Sequence, residues 1–170
     1  MTLVKNKTVT EYLDHDYAMY GMYTLENRAI PSVIDGFKPT ARKIIYIADK
    51  VWRSGSEKPL KIFQLGGRIA ADAHYHHGDG SLNGAIIGMA QSFKNSLPLL
   101  EEIGQFGSLR SPEAGAPRYI STKLTGNFRL LYKDFELLEN QIEEGNTIEP
   151  KYFLPIIPTV LLNGLSLIHI

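Results

Sequence analysis

The chain has 170 residues, 44% of them hydrophobic and 21% charged, which suits one compact domain, alone or with an arm attached. It has no cysteine, which excludes disulfides, a thiolate nucleophile and a zinc site built on sulfur. Its 18 basic residues equal its 18 acidic ones, and no apolar run approaches the roughly 18 residues of a membrane span.

The polar start Met1-Thr2-Leu3-Val4-Lys5-Asn6-Lys7 has no apolar signal core, so the expected compartment is the cytoplasm, with no membrane contact. Thr8-Val9-Thr10-Glu11 has the form of a capping box and predicts a helix from about Thr10 to Glu26. Leu13, Tyr17 and Tyr20 share one face of it. The arm's tyrosines, with Tyr12 and Tyr23, are read as amphipathic packing residues; an interaction surface is the other reading.

Pro31 and Asp35-Gly36 mark a connection, and Pro39 suits the first turn of a second helix. Ala41, Ile44, Ile45, Ala48 and Trp52 would face inward there, with Arg42, Lys43 and Lys50 on the other faces. A third helix is predicted from about Leu60 to Ala73. After the turn His76-His77-Gly78-Asp79-Gly80, Ser81 is expected to cap a fourth, with Leu82, Ile86, Met89 and Phe93 as its core stripe. Gly84, Gly88 and Gln91 lie on its other side, for either tight helix packing or the close approach of another molecule.

Gly104-Gln105-Phe106-Gly107-Ser108 is predicted as a short strand or turn, and Arg110 to Pro117 as a polar loop. A helix from about Thr122 to Tyr132, an acidic linker, and an extended segment over Pro150 to Pro158 complete the chain. The expected fold is mainly α with a small β wing, built on a helix-turn-helix.

The zero net charge is a cancellation. Lys38, Arg42, Lys43, Lys50, Arg53, Lys58, Lys61 and Arg68 against Asp49 and Glu57 give +6 locally, while Asp134 to Glu149 carries −6. Three clusters bear chemistry. The first, Gly36 to Lys43, is a basic helix N-terminus of the kind that binds anions. The second, His74-Tyr75-His76-His77-Gly78-Asp79, reads better as phosphate donors than as a metal site, because no second helix supplies a partner ligand. The third is Pro117-Arg118-Tyr119-Ile120. A tyrosine hydroxyl ionises near pH 10, so it needs help as a nucleophile, which an adjacent arginine gives.

These clusters, with Glu26-Asn27-Arg28-Ala29-Ile30-Pro31, Met89-Ala90-Gln91-Ser92-Phe93, Gly104 to Ser108 and Tyr152 to Pro158 with Leu162-Asn163-Gly164, resemble the breakage–reunion subunit of type IIA DNA topoisomerases. The adjacent histidines are more similar to the eukaryotic-type and phage-type enzymes than to gyrase. The resemblance implies a winged-helix, CAP-like cleavage domain over 31–149, an N-terminal arm over 1–30 and the start of a tower domain over 150–170. It implies Tyr119 as the nucleophile that holds a 5′ DNA end, Arg118 as its assistant, and Arg42 and His77 as transition-state stabilisers. Lys38, Lys43, His76 and Ser81 are expected to contact DNA, and no metal ligand is expected in the chain.

Mg²⁺ on a TOPRIM domain and ATP on an ATPase domain, both in a partner subunit, are implied too, as is a homodimer acting on double-stranded DNA. Ala41 departs from the family, where His or Gln is common. Leu167-Ile168-His169-Ile170 departs as well: Ile168 falls in the register of the family's DNA-wedging isoleucine, but Leu167 replaces a glycine. This implies a truncated C-terminus and a fragment inactive alone. The alternatives are a non-catalytic winged-helix DNA binder and a metal-dependent hydrolase using His74, His76 and His77.

Overall fold

A computed structural model describes residues 7–53, 58–142 and 148–163, with Asn27 given by its backbone alone. The expectations placed on Leu167 and Ile168 lie outside these residues.

The arm, α1, begins at Val9–Glu11 and continues as a wider-turned stretch over Tyr12–Tyr17, regular helix over Ala18–Thr24 and a second wide stretch over Leu25–Ala29. Its start is the capping box read from the sequence: the Glu11 amide donates to Thr8 Oγ1 at 3.2 Å, and the Thr8 amide donates to Glu11 Oε2 at 2.8 Å. The packing role expected of its tyrosines is not what the structure shows. Tyr12, Leu13, Tyr17, Tyr20 and Tyr23 all point to solvent, because it is the last stretch of the arm that lies against the domain.

Helices α2 (Pro39–Trp52), α3 (Ile62–Asp72) and α4 (Asp79–Ala90) pack on one another around Ile44, Ile47, Trp52, Leu65, Ile69 and Ile86, all buried. Fully burying a side chain of this size contributes about 1.5–3 kcal/mol, so this three-helix seam is the main source of stability. The third helix starts two residues later than expected, because Leu60–Lys61 is a strand, β1. It pairs antiparallel with β2, Ser121–Thr122, which shortens the next helix to α5, Gly126–Leu131. This small sheet is the β wing on the helical unit, in agreement with the predicted class.

A second core gathers Phe37, Ile45, Leu99, Phe128, Tyr132 and Phe153. Part of the expected acidic linker is instead a hairpin of β3 (Asn140–Ile142) and β4 (Ile148–Pro150). The described chain ends in α6, Thr159–Asn163.

In the second core, burial pushes the Tyr132 hydroxyl up to about 12, and the Asp35 carboxylate adds to the rise while the hydrogen bond to Thr159 opposes it. The unfolded chain would lose this proton first, near pH 10. The stability that Tyr132 contributes is therefore full below pH 10 and lost as pH rises from 10 to about 12. Tyr132→Phe is expected to flatten the alkaline arm of a pH–denaturation curve in that window.

Candidate functional site

Asp35 is fully buried and all four of its carboxylate acceptor positions are filled. Oδ1 accepts from the Phe37 amide at 2.9 Å and Arg42 Nη2 at 3.0 Å; Oδ2 accepts from Arg42 Nε at 2.8 Å and the Phe153 amide at 3.0 Å. The Asp35 carbonyl accepts from Thr159 Oγ1 at 2.8 Å. One carboxylate thus fixes the approach to α2 and ties it to the segment after β4. Gly36 makes the turn with φ +70°.

Two of the predicted site residues lie in this frame. The Arg42 guanidinium is forked onto Asp35 and also donates to the Phe37 carbonyl at 3.1 Å. The Lys43 ammonium donates to the Ala73 carbonyl and to buried Glu149, each at 2.8 Å. Both charges stabilise the frame, because their acidic partners are already desolvated beside them.

Four basic groups meet across an open groove of about 1140 Å³ between the end of the arm, the α2 N-terminus and α4. Arg28, Lys38, His77, Ser81 and Lys94 line it. Arg28 Nη2 lies 2.8 Å from His77 Nδ1 and 2.6 Å from His77 Nε2, and so donates to the ring nitrogen that bears the lone pair. The groove lining does not include His76, which stacks with His74 at 6.5 Å.

Ser81 does not cap α4. The helix begins at Asp79, and Gly78 is the cap whose carbonyl accepts from the Ser81 amide at 3.1 Å. Ser81 therefore sits in the first turn, at the groove. A methyl group added at Gly80, Gly84 or Gly88 would meet nothing within 4 Å, so this stripe of small residues is open rather than packed.

Arg118 and Tyr119 stand elsewhere, on the turn Pro117–Tyr119, and the groove lining stops short of them. The turn is docked on the start of α3. The Ile62 amide donates to the Ile120 carbonyl at 3.1 Å, the Phe63 amide to the Pro117 carbonyl at 3.2 Å, and Lys61 Nζ to the Tyr119 carbonyl at 2.9 Å. Free N–H groups at a helix N-terminus thereby fix a loop that carries an exposed phenol. Tyr119 is 73% exposed, and the Arg118 guanidinium lies 6.0 Å from its ring centre. Among the described residues, no group of three His, Asp or Glu side chains converges as a metal-ligand set.

The roles of Arg28 and Lys61 are not legible in the sequence. Neither has a sequence signal for its partner, which is 49 residues away for Arg28 and 58 for Lys61.

The model of the DNA gyrase/topoisomerase IV A-subunit family matches residues 28–169. The chain belongs to this family. It is 42% identical over 163 residues to the DNA topoisomerase medium subunit of Enterobacteria phage T4, covering 96% of this chain and 36% of that protein. It is 41% identical to DNA topoisomerase 2 of Arabidopsis thaliana, covering 92% of this chain and 11% of that protein. The chain thus spans about a third or less of these curated relatives.

Among solved structures, the DNA-binding, cleavage and re-ligation domain of Plasmodium falciparum topoisomerase II matches with a TM-score of 0.77 at 38% identity, covering 90% of this chain and 21% of that one. That likeness agrees with the expected class, mainly α with a small β wing. Among the described residues, no helix is long and apolar enough to cross a membrane.

Proposed function

We propose that this chain is the DNA cleavage and religation part of an ATP-dependent type II topoisomerase, with Tyr119 as its nucleophile. The observation that carries the reading is an exposed phenol beside Arg118 on a turn anchored to α3, in a chain of the gyrase/topoisomerase IV A-subunit family.

The Tyr119 oxygen attacks a backbone phosphorus, the bond from phosphorus to the 3′ oxygen breaks, and the phenol proton is balanced by one gained on the released 3′ hydroxyl. The strand's 5′ end is then held as a phosphodiester to Tyr119, and the 3′ hydroxyl reverses the step at little energetic cost. The attacked phosphate gathers negative charge, which fixed cationic and N–H donors stabilise. Arg118 is the donor beside the nucleophile. His77, oriented by Arg28, with Lys38 and Ser81, makes the second donor set, which holds DNA phosphates in the groove. His76 belongs to the supporting contacts. Arg42 acts as a positioning residue through Asp35.

Among the described residues no three His, Asp or Glu side chains converge as a ligand set. Mg²⁺ is assigned to a TOPRIM domain and ATP to an ATPase domain of a partner subunit, and no step is derived through either. The assembly is a homodimer of this subunit with that partner, acting on duplex DNA in a bacterial or phage-infected cytoplasm. Its divisions are an arm over 1–30, a winged-helix cleavage domain over 31–149 and the start of a tower over 150–170.

The test uses the complete subunit with its partner, Mg²⁺ and supercoiled DNA, stopped with detergent. Covalent protein–DNA adducts are expected. DNA binding without any adduct would leave a non-catalytic DNA binder instead.

A further inference from the structure

Along the chain between Leu99, which lines the groove, and Tyr119 lies a hairpin over residues 105–115. The Gly115 amide donates to the Gln105 carbonyl at 2.9 Å, and Ser108 and Ser111 exchange main-chain hydrogen bonds at 2.8 and 3.1 Å. Leu109 and Arg110 are thereby isolated as a two-residue tip. The hairpin is rigid for identifiable reasons. Gly107 has φ +86°, and a methyl group there would fall 2.8 Å from the Pro112 carbonyl, so Gly107→Ala is expected to disorder the tip. From the end of α4, buried Gln91 donates through Nε2 to the Phe106 carbonyl at 2.7 Å and the Pro112 carbonyl at 3.1 Å, clamping both sides of the loop. Phe106 is buried in the main core.

On this rigid mount sits a pair unlike an ordinary surface turn. Leu109 is 81% exposed, and Arg110 is exposed with no hydrogen bond or ion pair among the described residues. The acidic side chain on the hairpin, Glu113, lies on the returning side, beyond the tip.

We infer that the Leu109–Arg110 tip is a second DNA contact, entering the minor groove beside the cleavage site. The inference rests on the cleavage reading above. An apolar side chain next to an arginine is the pairing by which proteins wedge and bend DNA from its minor groove. A preorganised tip loses little entropy on docking. Arg110 is nine residues before Tyr119, so at about 3.3 Å per residue the tip lies at most ~30 Å from the nucleophile. That is within about nine base pairs at ~3.4 Å each. Arg110 supplies the charge complementarity to phosphates and to the electronegative groove floor.

The test is the affinity of the complete subunit with its partner for an AT-rich duplex across a salt series, for wild type, Arg110→Gln, Leu109→Ser and Lys38→Gln. Because the tip is exposed, both tip variants are expected to keep the wild-type melting temperature. Arg110→Gln should weaken binding about tenfold and lower the salt slope by about one. Leu109→Ser should weaken it several-fold with the slope unchanged. A minor-groove ligand such as netropsin should displace wild type and have a smaller effect on Arg110→Gln.

If Lys38→Gln weakens binding while both tip variants bind within twofold of wild type, the tip inference falls and the cleavage reading stands. If wild type does not bind duplex at all, the cleavage reading falls and takes the tip with it. A change in self-association confined to Leu109→Ser, with DNA affinity intact, would make the tip a contact between copies and overturn the inference.

Discussion

Replacing Asp35 with alanine is expected to cost about 3–5 kcal/mol of folding stability, read as a lower urea midpoint at unchanged slope. The size follows from what is left behind. The Arg42 guanidinium, largely buried, would lose both of its bonds to the carboxylate, and the amides of Phe37 and Phe153 would lose their acceptor. An unpaired buried cation costs far more than a missing surface ion pair, and single domains hold only about 5–15 kcal/mol in total. A companion variant isolates the stranded charge. Asp35→Ala combined with Arg42→Met should recover part of the loss, because the charge goes with its partner. A single variant within about 1 kcal/mol of wild type would mean that the Asp35 hub does not hold α2 to the segment around Phe153.

Tyr119→Phe is expected to remove covalent adducts completely while leaving DNA affinity and fold unchanged. The phenol oxygen is the only atom deleted, and its side chain is mostly in solvent, so no core contact is lost. The turn would stay in place, because its anchors are main-chain carbonyls: those of Pro117, Tyr119 and Ile120 accept from Phe63, Lys61 and Ile62. Loss of chemistry with retention of binding separates a nucleophile from a structural tyrosine. Equal adduct yield from the variant and wild type would move the nucleophile elsewhere.

Local signals in the sequence predicted what local physics decides. Thr8 and Glu11 declare the start of the arm, and Pro39 sits at the first position of α2, where its missing N–H costs nothing. The apolar spacing of Ile44, Leu65, Ile69 and Ile86 marked the faces that became the three-helix core. Long-range pairing was not legible. Leu60–Lys61 and Thr122 read as helix until the two segments meet across about 60 residues of chain, and strand pairing then overrides helical spacing.

The same holds for charge. Lys43 and Glu149 were counted in opposite blocks, +6 and −6, yet they are one buried ion pair, so part of the apparent basic patch is internal. The Arg42–Asp35 pair is equally hidden, because the sequence does not show that Asp35 turns inward beneath α2. The arm's tyrosines followed an amphipathic pattern, but a pattern says which residues share a face and not whether anything covers that face.

The most direct measurement of the central claim is the identity of the atom that joins protein to DNA. Adducts trapped on a 5′-labelled duplex with the complete enzyme would be digested with protease and the DNA-linked peptide sequenced by mass spectrometry. The expected product is a single peptide containing Arg118-Tyr119-Ile120, joined through the Tyr119 oxygen to a 5′ phosphate. Linkage at any other residue, or at a 3′ phosphate, would contradict it.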